Sequence, residues 1–187
     1  MTGLDARNPL VLDVRNLRRT PGSMVTVTQS VPAPGGLGVA LARVPEGSPI
    51  DLDLRLESVL EGVLVTGTAD LQVSAECSRC LDPVDRHEEI DLTELFRYPA
   101  TDAKGAVVAD PDESDDPLPE LQDDYLDLGP VLRDAVVLDL PLAPLCREDC
   151  PGLCTQCGAR LSDDPGHAHE TTDPRWAALA VLADRDE

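Results

Sequence analysis

Aromatic side chains are nearly missing: one Phe, two Tyr and one Trp make up 2% of the 187 residues. A chain so poor in aromatics has no stacking platform of the kind RNA-recognition sheets present to bases. Its core must come from Leu, Val and Ala, so each buried site contributes less area than a Phe or Trp would. Long apolar runs are missing too. The longest, AALAVLA at 177–183, is far too short to span a bilayer. The N-terminus MTGLDARNPLVLDVRNL has neither an apolar h-region nor a small-residue cleavage site. The expectation is a cytoplasmic protein, with no membrane partner, whose thiols stay reduced. No Gly-rich phosphate loop, GxSxG elbow or HExxH helix occurs. The sequence therefore proposes no catalytic residue and no small-molecule substrate.

Positive charge is also scarce. Fifteen Lys and Arg face 36 Asp and Glu, giving a formal net charge of −21, and such a chain repels nucleic acid at long range. The charge is uneven. Arg7, Arg15, Arg18 and Arg19 meet only Asp5 and Asp13 in the first fifth of the chain, whereas Asp110 to Asp127 holds nine acids and no base. Residues 100–124 combine low hydrophobicity with this acidity and read as a disordered acidic insert, so the folded part is nearer neutrality than the total suggests.

What the chain does have is 42% apolar residues, 17 Pro and 13 Gly, enough for one domain with many turns. Leu10, Leu12 and Val14 alternate with Val11, Asp13 and Arg15 and read as extended chain, and Val25 to Thr28 form a β-branched run. Ile50, Leu52, Leu54 and Leu56 fall on one face with Asp51, Asp53, Arg55 and Glu57 on the other, the pattern of a half-buried strand. Gly62 to Glu76 continues this with Val63, Val65, Leu71 and Val73. A further strand follows with Val84, Ile90, Leu92 and Leu95 as its apolar members. A helix is expected after Asp127, its N-cap, with Pro130 in the first turn and Val131, Leu132, Ala135, Val136 and Leu138 along a face. Asp173 and Pro174 mark a second helix through Trp176, Leu179 and Leu182. The expected class is α+β: an antiparallel, barrel-like β-sheet with two short helices and a cysteine zinc site.

Six cysteines in a reducing compartment point to metal before disulfides. Cys77 and Cys80 form a CxxC at the tip where one strand ends and the next begins. Cys146, Cys150, Cys154 and Cys157 lie in CREDCPGLCTQCG, a zinc-binding segment over 146–158. A CxxC turn presents two thiolates to one ion, and two such knuckles supply the tetrahedral sulfur set that a structural Zn2+ prefers. Three ligand sets are open: Cys77 and Cys80 with Cys154 and Cys157, the four C-terminal cysteines alone, or Cys77 and Cys80 with Cys146 and Cys150. The first is favoured because it uses two CxxC knuckles. A thioredoxin-type reading of CSRC or CTQC lacks the βαβ context that lowers a thiol pKa. His167 and His169, in a DDPGHAHE loop, read as solvated, and His87 sits on a strand's polar face.

In order, the segments LDVRNLRRTPGS, ECSRCLDPV, an acidic gap, LDLGPVLRDAVVLDLPLAPLCREDCPGLCTQCGARL and DPRWAALAVL resemble the YceD family. These are the bacterial and plastid large ribosomal RNA subunit accumulation proteins, and the six-cysteine actinobacterial form fits best. The resemblance covers nearly the whole chain and is most specific at CSRCL and LPLAPLCREDCPGLCTQCG. It implies one YceD-like domain over 1–187 and a non-enzymatic role in accumulating or processing large-subunit ribosomal RNA. The implied partner is that RNA or its precursor, met directly or through a ribosomal protein or processing nuclease. A net charge of −21 opposes generic RNA affinity, which depends on neutralising phosphates. Any RNA contact is therefore expected at Arg7, Arg15, Arg18, Arg19, Arg79 and Arg86, for which solvated face charge is the competing reading. Two other functions remain open: an adaptor whose acidic segment binds a basic protein, and a thiol redox protein.

Overall fold

The computed structural model describes residues 4–99 and 118–169. Its strands are β1 (Val11–Asp13), β2 (Met24–Pro32), β3 (Ala42–Arg43), β4 (Pro49–Ser58), β5 (Gly62–Glu76), β6 (Pro83–Arg97) and β7 (Tyr125–Asp127), followed by helix α1 (Leu128–Asp139). Strands β2, β4, β5 and β6 lie side by side and antiparallel, and β3 extends the β4 side of β5 at Ser74 and Ala75. β1 and β7 make a separate two-stranded antiparallel ribbon.

The alternation in β4 carries over directly: Ile50, Leu52, Leu54 and Leu56 are buried and their polar neighbours exposed. Register then places Ile50 beside Leu71, Leu52 beside Ala69 and Leu56 beside Val65 on one apolar face. Leu54 faces Gly67, which in turn faces Leu92 of β6. In β6 the inward residues are Ile90, Leu92 and Phe96, not Leu95. Phe96 keeps the two-residue period that Leu95 would break. Leu128, Leu132 and Val136 of α1, with Leu10 and Leu12, complete one aliphatic core.

The sheet is open, not barrel-like. β2 and β6 form its edges and do not pair with each other, and α1 packs against β6. One helix is present among the described residues; the helix expected after Asp173 lies outside them. The expected acidic insert divides in the same way. Residues 100–117 lie outside the described residues, but 118–124 pack against the sheet. Glu120 bridges Arg97, Leu121 is buried, and Gln122 pairs with Tyr125. Leu121 is the apolar anchor that composition averaging hid.

Asp127 caps α1, its carboxylate accepting from the Gly129 N–H at 2.9 Å. Asp127→Ala is expected to cost about 1 kcal/mol of stability in urea unfolding. The helix stops at Leu140, which is extended (φ −62°, ψ 133°) as the residue before Pro141 must be. No described helix is long and apolar enough to cross a membrane.

Candidate metal centres

β5 and β6 form the longest hairpin of the fold, and its turn is the first CxxC. The Cys77 N–H donates to Asp82 O at 2.8 Å, and the Leu81 N–H donates to Cys77 O at 2.8 Å. The same turn is built again 77 residues on, at Cys154. The Cys154 N–H donates to Ala159 O and the Gly158 N–H to Cys154 O, both at 2.8 Å. In both turns the residue after the second cysteine has positive φ, 62° at Leu81 and 71° at Gly158. Glycine suits that conformation; a leucine holds it only under constraint from its surroundings.

The chain after α1 is drawn back to the hairpin tip by its Pro-interrupted stretch. The Ser78 N–H donates to Pro144 O at 2.8 Å, and Arg86 Nη2 donates to Leu145 O at 2.6 Å. Arg79 Nη1 donates to Cys150 O at 3.0 Å, while the Leu153 N–H donates back to Arg79 O at 3.0 Å. Gly152 (φ +78°) allows this approach, since a Cβ there would sit 3.0 Å from Arg79 O.

Two groups of donors result, each with its four ligand atoms within 4.8 Å of one another, and each could hold a metal ion. The first is Cys77, Cys80, Cys146 and Cys150, all but Cys146 buried. Cys77 Sγ lies 3.8 Å from Cys150 Sγ, and Cys80 Sγ 3.6 Å from Cys146 Sγ. The second is Cys154, Cys157, His167 and His169, none of them buried. The set favoured on sequence, two CxxC knuckles around one ion, is not the one assembled: Cys77 and Cys80 meet Cys146 and Cys150. His167 and His169, read as solvated, converge with the second knuckle. The signal that could have found them is the His-x-His spacing after a Pro-Gly turn, which puts both rings on one side of an extended chain. A bidentate ion pair, Arg160 to Asp82 at 2.5 and 2.7 Å, ties the second knuckle to the first.

Cys77, Cys80 and Cys146 titrate together. Desolvation pushes Cys77 up, but the N–H groups of Cys146, Cys80 and Arg79 aimed at its sulfur prevail and bring it down to about 6. The Asp82 N–H pulls Cys80 down, yet burial and the sulfurs of Cys77, Cys146 and Cys150 outweigh it and push Cys80 up to about 12. Burial, then Cys150, raises Cys146. In the second group the N–H groups of Cys157 and Gln156 bring Cys154 down to about 6. Crowded thiolates repel one another, and a divalent cation removes that repulsion and displaces the protons.

The six arginines named from the sequence do not form one surface. Arg79 and Arg86 are spent on backbone carbonyls of the cysteine segment, as above. Arg15 pairs with Asp13 and lies over the Tyr125 ring, and Arg19 pairs with Asp124 and lies over Tyr98. Arg18 lines the same hollow beside Val63 and Tyr98, and Arg7 is exposed. Val63 and Cys77 bracket the length of β5, so the Arg15–Arg19 group sits roughly 45 Å from the cysteines at about 3.3 Å per residue.

Comparison with known proteins agrees with the resemblance read from the sequence. The model of the family described as large ribosomal RNA subunit accumulation protein YceD matches residues 65–183, a span that holds most of β5, all of β6 and α1, and all eight donors. An uncharacterized protein of Mycobacterium tuberculosis is 45% identical over 175 residues, covering 94% of this chain and 82% of that protein. YlbN of Bacillus subtilis is 28% identical over 144 residues, covering 75% of this chain and 77% of that protein. A chloroplastic YCED homolog of Zea mays, named a large ribosomal RNA subunit accumulation protein, is 28% identical over 172 residues, covering 86% of this chain and 48% of that protein. No solved structure matches the chain at a significant level.

Proposed function

This chain belongs to the YceD family, and on that premise we propose that it is a non-enzymatic factor promoting the accumulation of large-subunit ribosomal RNA, with a structural zinc ion at Cys77, Cys80, Cys146 and Cys150. The observation that carries the functional reading is the family match over 65–183, together with the plant relative's name.

The zinc reading rests on the donors themselves. A tetrahedron of sulfurs about 2.3 Å from zinc has edges of about 3.8 Å. The separations of 3.8 and 3.6 Å between opposite knuckle and loop sulfurs fit that edge. Four sulfur donors leave no open position for a water or substrate, which is the mark of a structural centre. The cleft beside it, about 130 Å³ and lined by Cys80, Cys146 and Cys150, is small against the ~300–1,000 Å³ of ordinary ligand pockets. The ion's contribution is to fix residues 144–153 onto the hairpin tip, where Arg79 and Arg86 already grip their carbonyls.

The test is the ratio of large- to small-subunit ribosomal RNA in cells depleted of the protein, with ultraviolet crosslinking in the same strain. A fallen ratio with crosslinked large-subunit RNA is expected for direct contact. A fallen ratio without crosslinks points to action through a basic ribosomal protein or a processing nuclease. An unchanged ratio rejects the function.

A further inference from the structure

The segment from Leu153 to His169 has a definite fold and almost nothing to hold it. None of its residues is buried, so hydrophobic burial does not stabilise it, and segments of this kind depend on a cross-link or a metal. Beyond the Leu153 N–H to Arg79 O bond at its start, its backbone bonds reach no farther than Gly152, among them Asp163 N–H to Arg160 O and His167 N–H to Asp164 O. The Asp164 carboxylate, accepting from the Gly166 N–H at 3.2 Å, shapes the Pro165–Gly166 turn that aims the two imidazoles.

Those imidazoles meet the second knuckle at one point. His167 Nε2 lies 2.8 Å from His169 Nε2, and each of the two nitrogens lies 3.2 Å from Cys157 Sγ. A shared proton would account for the nitrogen pair alone. An imidazole nitrogen has a single in-plane site, a lone pair or an N–H, so it serves a neighbouring nitrogen and a sulfur at once only through a bent three-centre bond. Lone pairs converging on a common point, with Cys154 Sγ as the fourth donor within 4.8 Å, describe a coordination site. Nitrogens at about 2.0 Å from zinc stand about 3.3 Å apart, so the 2.8 Å pair opens by about 0.5 Å when an ion enters between them.

We infer that Cys154, Cys157, His167 and His169 form a second zinc centre, separate from the four-cysteine centre and more readily exchanged, whose occupancy decides whether residues 153–169 stay folded against the hairpin tip. The two centres share no ligand. They touch through Arg160 and Asp82, so loss of the second ion releases the clamp on the turn that carries Cys77 and Cys80. The ligand is a borderline-soft divalent cation: two thiolates and two imidazoles suit zinc, and two sulfurs with two nitrogens disfavour magnesium and calcium. The four-cysteine centre is buried except at Cys146, whereas every ligand of the second is at least partly exposed, so a chelator reaches the second first. This inference rests on the zinc reading of the first centre only for the contrast between them, and the ligand sets allow each to fail alone.

The test uses the full chain loaded with zinc. Metal analysis is expected to give two zinc per chain, released to a chromophoric chelator in two phases whose rates differ at least tenfold. In the His167→Ala/His169→Ala variant one zinc remains, the fast phase is gone and the slow phase is kept. Amide exchange quickens in 158–169 and not in β4 or β5. Cobalt substitution separates the sites independently, since the four-sulfur spectrum alone survives in that variant. A His167→Cys/His169→Cys variant is expected to restore the second ion, read with cobalt as a second four-sulfur spectrum, which guards against a variant that merely misfolds. A wild-type chain with one zinc, or a double-alanine variant that still holds two, overturns the inference. Loss of both ions from the double-alanine variant with the sheet intact also overturns it, because the centres would then not be separate.

Discussion

Cys150→Ser is expected to strip the first centre of its zinc and to unfold residues 141–153 while leaving the sheet folded. Structural zinc contributes about 10–16 kcal/mol in isolated zinc-finger peptides, comparable to the whole stability of a domain at about 5–15 kcal/mol. Here the loss falls on one region, because the sheet and α1 share a core that contains none of the cysteines, while Cys77, Cys80 and Cys150 cluster apart from it. Serine keeps the shape of the side chain and removes the thiolate. In hydrogen exchange, the amides of Ser78, Leu81 and Leu153 should lose at least a hundredfold of protection, and those of Leu54 and Val65 should keep theirs. Uniform loss across the sheet would show that the metal holds the whole domain; no change anywhere would show that it holds nothing.

Gly67→Ala should act in the opposite place, on the sheet and not on the tip. Gly67 has φ +152°, and a Cβ there would lie 2.0 Å from Asp53 O and 2.8 Å from Leu54 Cα, both backbone atoms that cannot turn aside. Gly67 lies at the centre of the β4–β5–β6 ladder, opposite Leu54 on one side and Leu92 on the other. Relief requires the two strands to part, at a cost of about 3 kcal/mol. Urea unfolding is expected to show a midpoint lowered accordingly, with zinc content unchanged per folded chain. A stability within about 0.5 kcal/mol of wild type would mean that this ladder is not packed as described.

The contrast between these two variants reflects what was readable in advance. Period-two alternation made β4 and β5 legible, because one face of each is buried and the other wet. Asp127 was legible as a cap because its chemistry is local. β6 was legible as an element but its facing was misassigned at Leu95, although the period of Ile90 and Leu92 leads to Phe96. The pairing of cysteines was out of reach for a different reason. Spacing shows that Cys77 and Cys80 face one ion, but which thiols join them depends on the path after α1. Pro141 and Pro144 carry the chain back so that Cys146 and Cys150 arrive first, and Gly152 then turns Cys154 and Cys157 away. The imidazoles were missed because a polar Asp-Pro-Gly loop resembles solvated chain until the knuckle opposite is in place. The order at 118–124 was missed because one buried leucine outweighs a run of acids.

X-ray absorption at the zinc edge of the His167→Ala/His169→Ala chain tests the central claim most directly. With the second centre disabled, one zinc per chain surrounded by four sulfurs at about 2.3 Å is the result expected of Cys77, Cys80, Cys146 and Cys150. A folded variant that carries no zinc, or whose zinc has nitrogen or oxygen among its ligands, would contradict it.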